Sequence, residues 1–268
     1  MRTQWSAFLR FASMTTFASL NTLPDLPPGC SRLYLCRHGQ TDANQRKLLQ
    51  GGGVDTPLNP TGRAQAAALA QSMSSLELDL VASSTLCRAV ETADLIAGSQ
   101  SAVERLARDE LCEQNFGTLE GMPRSECAEQ LAALNDAWCA GRTDVPVPGG
   151  ESPDDVLVRA CAALWGDGLL GSRVPGRHVA VVAHSTLNKA VLSHALGKGL
   201  SRLGEVRQAN CCINVLDVAT TTEDTSGSVP DVTVVAVNIK AEDANVPQPI
   251  ALLRVCGEVL LSGQRAFR

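Results

Sequence analysis

The chain is short of positive charge. Its 23 Lys and Arg are set against 28 Asp and Glu, a formal net charge of −5. That excludes the broad basic face of a general nucleic-acid binder or of a protein held on an anionic membrane, while leaving room for a local basic pocket. Long apolar runs are missing as well, and none approaches the roughly 20 residues of a membrane span. The ten cysteines include no Cys-x-x-Cys pair and no zinc spacing, and the adjacent Cys211 and Cys212 are poorly placed to ligate one metal. They read as small apolar fillers in a reducing compartment. Charged residues are 19% of the chain, too few for a disordered or highly solvating polymer.

What is present is apolar sequence enough for a sizeable core, 44% of 268 residues. That length suits one large domain, or one domain with an extension. Residues 1–24 stand apart. They hold Arg2 and Arg10, several Ser and Thr, no acid, and four of the nine aromatic residues (Trp5, Phe8, Phe11 and Phe17). Trp5, Phe8, Leu9 and Ala12 fall on one face at helical spacing, which resembles an organelle transit peptide. The alternative is a leader ahead of a start at Met14. The location expected is therefore intracellular: cytoplasmic, or mitochondrial or plastid if the segment is a transit peptide. The Pro-rich stretch 23–29 reads as a linker. Residues 1–30 are thus expected to be an extension and residues 31–268 the folded domain.

Along that domain, apolar runs at 33–36, 78–82 and 178–183 read as strands. Helical patterns cover 60–75, 88–97, 124–134, 153–164 and 186–196, and Ile213–Val218 with Val232–Ile239 reads as a late hairpin. The 178–183 run is apolar without alternation, as in strands buried on both faces. Strands alternating with helices predict an α/β fold: a three-layer α/β/α sandwich around a mostly parallel sheet.

The strand ends carry the chemistry. The first strand stops at Arg37-His38-Gly39, the third at His184-Ser185, and the second at Ser83-Ser84 with Arg88 a turn further on. In parallel sheets, ligands bind outside the carboxyl ends of the strands. If these strands are neighbours, two histidines and two arginines converge. Half-buried cations need an anion. A phosphoryl group, with close to two charges and three acceptor oxygens, matches a pair of guanidinium forks.

At these residues the chain resembles the histidine phosphatase superfamily, the phosphoglycerate-mutase-like family. "RHGQTDAN", "DTPLNPTGRAQA", "SSTLCRAVETA", "LCEQNFGTLEG", "PGGES" and "VAVVAHSTLNKAVL" are similar to six of its blocks, in order, across 33–214. The resemblance implies a phosphoglycerate mutase-like fold and His38 as a nucleophile that forms a phosphohistidine. It implies Arg37, Arg88 and His184 around the phosphoryl oxygens, assisted by Asn44, with Gly39 and Thr41 in the same phosphate-binding set. Glu113 would protonate the leaving oxygen and then activate water, with Glu110, Glu120 and Glu126 as alternative carboxylates nearby. It implies no cofactor and no metal. The partner expected is a small phosphorylated metabolite, with no nucleic acid and no membrane; the oligomeric state is open. There are departures from the family pattern. Ala43 stands where an aromatic is common, Asn59 where Thr is common, and Ser185-Thr186 where Gly-Gly is frequent.

The reaction implied is metal-independent hydrolysis of a small phosphomonoester. A cofactor-dependent mutase is the alternative, and a non-catalytic phosphate binder is a third. Mutases of the family carry a longer segment between the acid and the Gly-Glu-Ser block; here only residues 115–147 intervene, which leaves the site more open to water. No nucleotide-binding Gly-x-x-x-x-Gly-Lys-Ser/Thr loop, no cysteine six residues before an arginine and no Asp-x-Asp-x-Thr is present. Substrate selection is assigned to residues 45–54, 115–140 and 219–231. Arg124 and Arg142 point to an acidic substrate tail.

Overall fold

The computed structural model of the protein describes residues 15–17, 20–165, 168–170, 174–220, 230–240, 248–250 and 253–255. The strands are β1 (Thr15–Phe17), β2 (Cys30–Arg37), β3 (Leu80–Ser84), β4 (Glu104–Arg108), β5 (His178–Ala183), β6 (Cys212–Ala219), β7 (Val232–Lys240), β8 (Gln248–Ile250) and β9 (Leu253–Val255). The helices are α1 (Asp42–Gln45), α2 (Pro60–Met73), α3 (Cys87–Gly98), α4 (Ala128–Cys139), α5 (Pro153–Leu164) and α6 (Ser185–Ala195). Among the described residues, seven strands form the central sheet in the order β4-β3-β5-β2-β6-β7-β9, and β1 pairs with β8 separately.

β5 lies between β2 and β3, parallel to both, and β4 extends the parallel set at the edge. β6 runs antiparallel to β2, and β7 antiparallel to β6, so β7 points the same way as β2. Burial alternates by face along each strand. Leu33, Leu35, Val179 and Val181 face α5 and α6, packing on Val156, Ala160, Leu187 and Val191. Tyr34, Cys36, Ala180 and Val182 face α2 and α3, packing on Leu69, Met73, Ala89 and Ala93. Two apolar faces need two helical layers, and this gives the three-layer sandwich expected from the sequence. A third, smaller cluster of Leu49, Phe116, Leu119, Cys127 and Val147 anchors α4 to the loops beyond the strand ends.

Several boundaries differ from the sequence reading. β3 runs on through Ser83 and Ser84, because the ladder pairs backbone groups whatever the side chain: Ser83 opposes Val182, and Ser84 opposes Arg108. The edge strand β4 is not among the strands expected from the sequence. Its Glu-Arg-Leu-Ala-Arg sequence is charged because an exposed edge must resist further pairing. α4 begins at Ala128, since 121–124 folds back on 47–49 through bonds such as Leu49 N to Met122 O (2.8 Å) and Arg124 N to Lys47 O (3.0 Å). His194 on α6 is half-buried. Packing starts ahead of Ser31, with Leu20 buried in the α2/α3 layer. Residues 1–14, which carry most of the targeting expectation, and residues 221–229 of the hairpin connection lie outside the described residues. Among the described residues no helix is long and apolar enough to cross a membrane.

The foot of the sheet, away from the strand ends of interest, is tied by a buried ion pair. Arg32 reaches both oxygens of Asp217 (Nε–Oδ1 2.6 Å, Nη2–Oδ2 2.9 Å), and its Nη1 donates to the Pro24 carbonyl at 2.9 Å. Removing one partner strands a charge in the interior, whereas replacing both need not. Asp217→Ala is therefore expected to cost about 3–5 kcal/mol in urea unfolding, and Arg32→Met with Asp217→Leu to recover most of that loss.

Candidate active site

The parallel order β3-β5-β2 brings the three predicted strand ends together. His38 directly follows β2, and its backbone N–H donates to Ala183 O, the last residue of β5, at 3.1 Å. His184 directly follows β5. The two imidazoles lie with ring centroids 5.1 Å apart, and both are buried. His38 Nδ1 lies 2.6 Å from Gly39 O. A carbonyl can only accept, so Nδ1 carries the proton and Nε2 is left with its lone pair. Gly39 N is tied to Thr92 Oγ1 of α3 at 3.1 Å. A β-carbon at Gly39 would stand 2.5 Å from Gly62 O, and one at Gly62 would stand 2.0 Å from Gln40 O. Two glycines are thus required where the turn after β2 crosses the start of α2.

Arg37 and Arg88 are held by backbone carbonyls. Arg37 Nη1 donates to Gln208 O at 2.7 Å. Arg88, fully buried in the first turn of α3, donates from Nη1 to Val54 O (2.8 Å) and from Nη2 to Gly51 O (3.2 Å). The Asp55 carboxylate is 4.0 Å from Arg88 Nη1, and it accepts the Cys87 N–H at 2.8 Å. It thereby caps a helix whose own N-cap, Leu86, has no side-chain acceptor. The Nε atoms of both arginines are buried and meet no partner among the described residues. Burial pulls both guanidiniums below their ordinary value. Burial first, then Arg37 and Arg88, pushes His38 well below the usual histidine range. Burial, then Arg88 and His38, does the same to His184. Both rings are therefore neutral at neutral pH.

Of the four carboxylates weighed from sequence, Glu113 is the buried one. Its Oε1 accepts from the backbone N–H of Gln114 (3.0 Å), Thr186 (3.0 Å) and Leu187 (3.3 Å). The last two are free N–H groups at the start of α6, where a carboxylate is favoured. The Ser185-Thr186 departure thus leaves the backbone donors of this helix in use by Glu113. Glu120 instead braces the glycine-rich loop, accepting from Gly53 N and Phe116 N. Glu110 and Glu126 are exposed. Thr41 caps α1; its Oγ1 accepts from Asn44 N (3.1 Å) and donates to Gln50 (2.8 Å). Asn44 Oδ1 accepts from Asn210 Nδ2 at 3.1 Å, and Asn210 also donates to His38 O at 3.2 Å. These two residues shape the turn beside His38. Asn59, in place of a common Thr, caps α2 through Gly62 N at 2.8 Å.

The sequence model of the histidine phosphatase superfamily (branch 1) matches residues 33–226. The chain belongs to the histidine phosphatase superfamily. It is 40% identical over 130 residues to fructose-2,6-bisphosphatase TIGAR B of Danio rerio, covering 47% of this chain and 49% of that one. The match therefore spans about half the length of that relative. The chain is 31% identical over 164 residues to the 2,3-bisphosphoglycerate-dependent phosphoglycerate mutase of Cytophaga hutchinsonii, covering 60% and 76% of the two chains. The native structure of a mycobacterial glucosyl-3-phosphoglycerate phosphatase superposes with a TM-score of 0.63 at 25% identity, covering 79% of this chain and all (100%) of that one.

In this member of the superfamily, several residues around the site went unnoticed in the sequence. Gln208 holds Arg37 through its carbonyl, and its side chain ties to Asn188 (3.2 Å) and Asn214 (2.9 and 3.0 Å). Backbone carbonyls such as Gly51 O and Val54 O carry no side-chain signal at all. Lys189 on α6 is half-buried and pulled down by burial, within electrostatic reach of Glu113, Arg37 and Arg124. Ser84 was visible as a strand end, but nothing in the sequence paired it with His184. Among the described residues no group of three His, Cys, Asp or Glu could hold a metal ion.

The two neutral imidazoles set a pH dependence. In the unfolded chain they take up protons near about pH 6.5; the folded chain refuses them, so the unfolded state binds more protons and stability falls as pH drops below that value. Urea unfolding is expected to show this decline between about pH 7 and about pH 5. The slope should be shallower in a His38→Asn, His184→Asn double variant. His178 and His194, also pulled down by burial, contribute equally to both proteins.

Proposed function

We propose that the chain hydrolyses a small phosphomonoester through a phosphohistidine at His38, without a metal. The observation that carries this reading is the 2.6 Å bond from His38 Nδ1 to Gly39 O, which leaves Nε2 as a neutral nucleophile within electrostatic reach of Arg37 and Arg88. Nε2 attacks phosphorus as the bond to the leaving oxygen breaks, and Glu113, which must enter this step as the carboxylic acid, gives that oxygen its proton. Water then attacks the phosphohistidine. Glu113 takes its proton, the P–N bond breaks, and inorganic phosphate leaves. Arg37 and Arg88 neutralise the charge spread over the equatorial oxygens, which is the role a cation plays in phosphoryl transfer. The mutase-named relative supports a second reading, transfer to a sugar-acid hydroxyl in place of water.

The substrate carries a second anionic group. Exposed Arg124 and half-buried Lys189 add two cations beside Arg37, and no carboxylate pairs with either among the described residues. Each of the three relatives above is named for a substrate or cofactor with more than one anionic site. Arg142 contributes through its backbone, closing the turn after α4 (Arg142 N to Ala137 O, 3.0 Å).

Hydrolysis of para-nitrophenyl phosphate in EDTA should survive chelation in the wild type and vanish in His38→Ala. Activity retained by His38→Ala would overturn the nucleophile. Wild-type turnover only with 3-phosphoglycerate and a bisphosphate primer would select the mutase. Arg124→Ala with Lys189→Met should raise KM about tenfold or more for a bisphosphate or carboxylated phosphate, since each contact to a charged group is worth roughly 1.5–3 kcal/mol. KM for para-nitrophenyl phosphate should hardly move.

A further inference from the structure

We propose that Ser84 is a positioning residue that sets the tautomer of His184: its hydroxyl hydrogen goes to Nε2, the ring proton stays on Nδ1, and Nδ1–H is the group offered to a phosphoryl oxygen. The inference rests on the phosphatase reading for its purpose, but its structural content stands apart from it.

Ser84 Oγ lies 2.6 Å from His184 Nε2, and both side chains are fully buried. The contact alone does not say which atom donates. The surroundings do. Ser84 Oγ already accepts the backbone N–H of Leu86 at 3.3 Å. A serine hydroxyl has one hydrogen, and among the described residues Nε2 is the one acceptor within bonding distance of it. If Nε2 carried the ring proton, Ser84 would accept twice and bury its own hydrogen without a partner, which native interiors avoid. With the serine donating, every polar atom of the pair is satisfied except His184 Nδ1.

That remaining atom is buried and unpartnered, on a ring 5.1 Å from His38. As an N–H, it is a donor awaiting an acceptor. Phosphoryl oxygens are acceptors only, so a bare lone pair there would repel them. A neutral donor also suits the site. Burial first, then Arg88 of α3, His38 and Arg37 at the end of β2, and Arg159 of α5 oppose a charge on His184. Fixing the tautomer through Ser84 lets the ring donate without becoming cationic. Neighbouring Ser83 serves a different end, accepting from Arg105 Nη2 at 2.9 Å.

The test is nitrogen NMR of isotope-labelled histidine on wild type and Ser84→Ala, read beside their pH–rate profiles. The wild type should show the His184 proton on Nδ1. Ser84→Ala should move it to Nε2 and lower kcat about tenfold or more, approaching the roughly 10²–10³-fold lost when an oxyanion donor is removed outright. Its deficit should narrow as pH falls, because protonating the ring restores a hydrogen at Nδ1. Ser84→Thr should return both tautomer and rate, and Ser83→Ala should keep both. A wild-type ring with its proton on Nε2 would overturn the proposal, as would a Ser84→Ala protein with unchanged tautomer and rate. Loss of rate with an unmoved tautomer would also overturn it. A wild type that turns over no phosphate ester would count against the phosphatase reading alone, since the NMR decides the tautomer either way.

Discussion

The site depends on two guanidiniums, those of fully buried Arg88 and half-buried Arg37, that are held in place without being neutralised at bonding distance. Arg37 and Arg88 are gripped by the carbonyls of Gln208, Val54 and Gly51. A carbonyl dipole orients a guanidinium but leaves its charge available. Had carboxylates filled these places, the pocket would be electrically quiet and a phosphoryl group would gain little by entering. With Asp55 no nearer to Arg88 Nη1 than 4.0 Å, the remaining charge disfavours the empty site, and it adds to burial in keeping His38 and His184 neutral.

Much of the architecture follows from supplying those carbonyls. The glycine-rich loop after α1 has to pass close to Glu120 and the 113–114 backbone; a β-carbon at Gly51 would stand 2.0 Å from Glu120 Oε1. The loop is held there by Gly52 N to Gln114 O (3.1 Å) and by Asp55 at the start of α3. On the other side, Gln208 is fixed by the buried amides of Asn188 and Asn214. Both amides bond the Gln208 side chain and donate to the end of β2, Asn188 to Cys36 O and Asn214 to Leu35 O, with Asn188 Oδ1 left without a partner. Buried polar networks of this kind hold a group to one geometry when nearly all members are paired. The same α6 that presents Asn188 and Lys189 also holds the Glu113 carboxylate on its first turn. His38, Arg37 and Glu113 are therefore registered against one sheet and α6, with Arg88 brought in by α3.

The legible part of this protein was its side-chain punctuation. Apolar runs that stop at Arg-His-Gly, Ser-Ser and His-Ser marked where strands end, and the period of Ala and Leu in α2, α3 and α5 marked the layers. β4 was less visible because an edge strand carries charges for its own protection. Gln208 and the carbonyls that seat the arginines were invisible because a backbone oxygen is present at every residue. Only the path of the chain selects which one faces a guanidinium.

By itself the sequence determined which chemical groups the protein owns: two histidines and two arginines beside strand ends, an acidic segment, and glycines where no β-carbon fits. It also determined the α/β class, because strand and helix periodicities are local properties of side chains. The tertiary structure alone decided that β5 inserts between β2 and β3, and that Glu113 of the several carboxylates is the one capped by α6. It also decided that Ser84 meets His184 across 100 residues of chain. Strand order and hydrogen-bond partnership are set by long-range packing, and no local pattern of residues encodes which distant groups will share a proton.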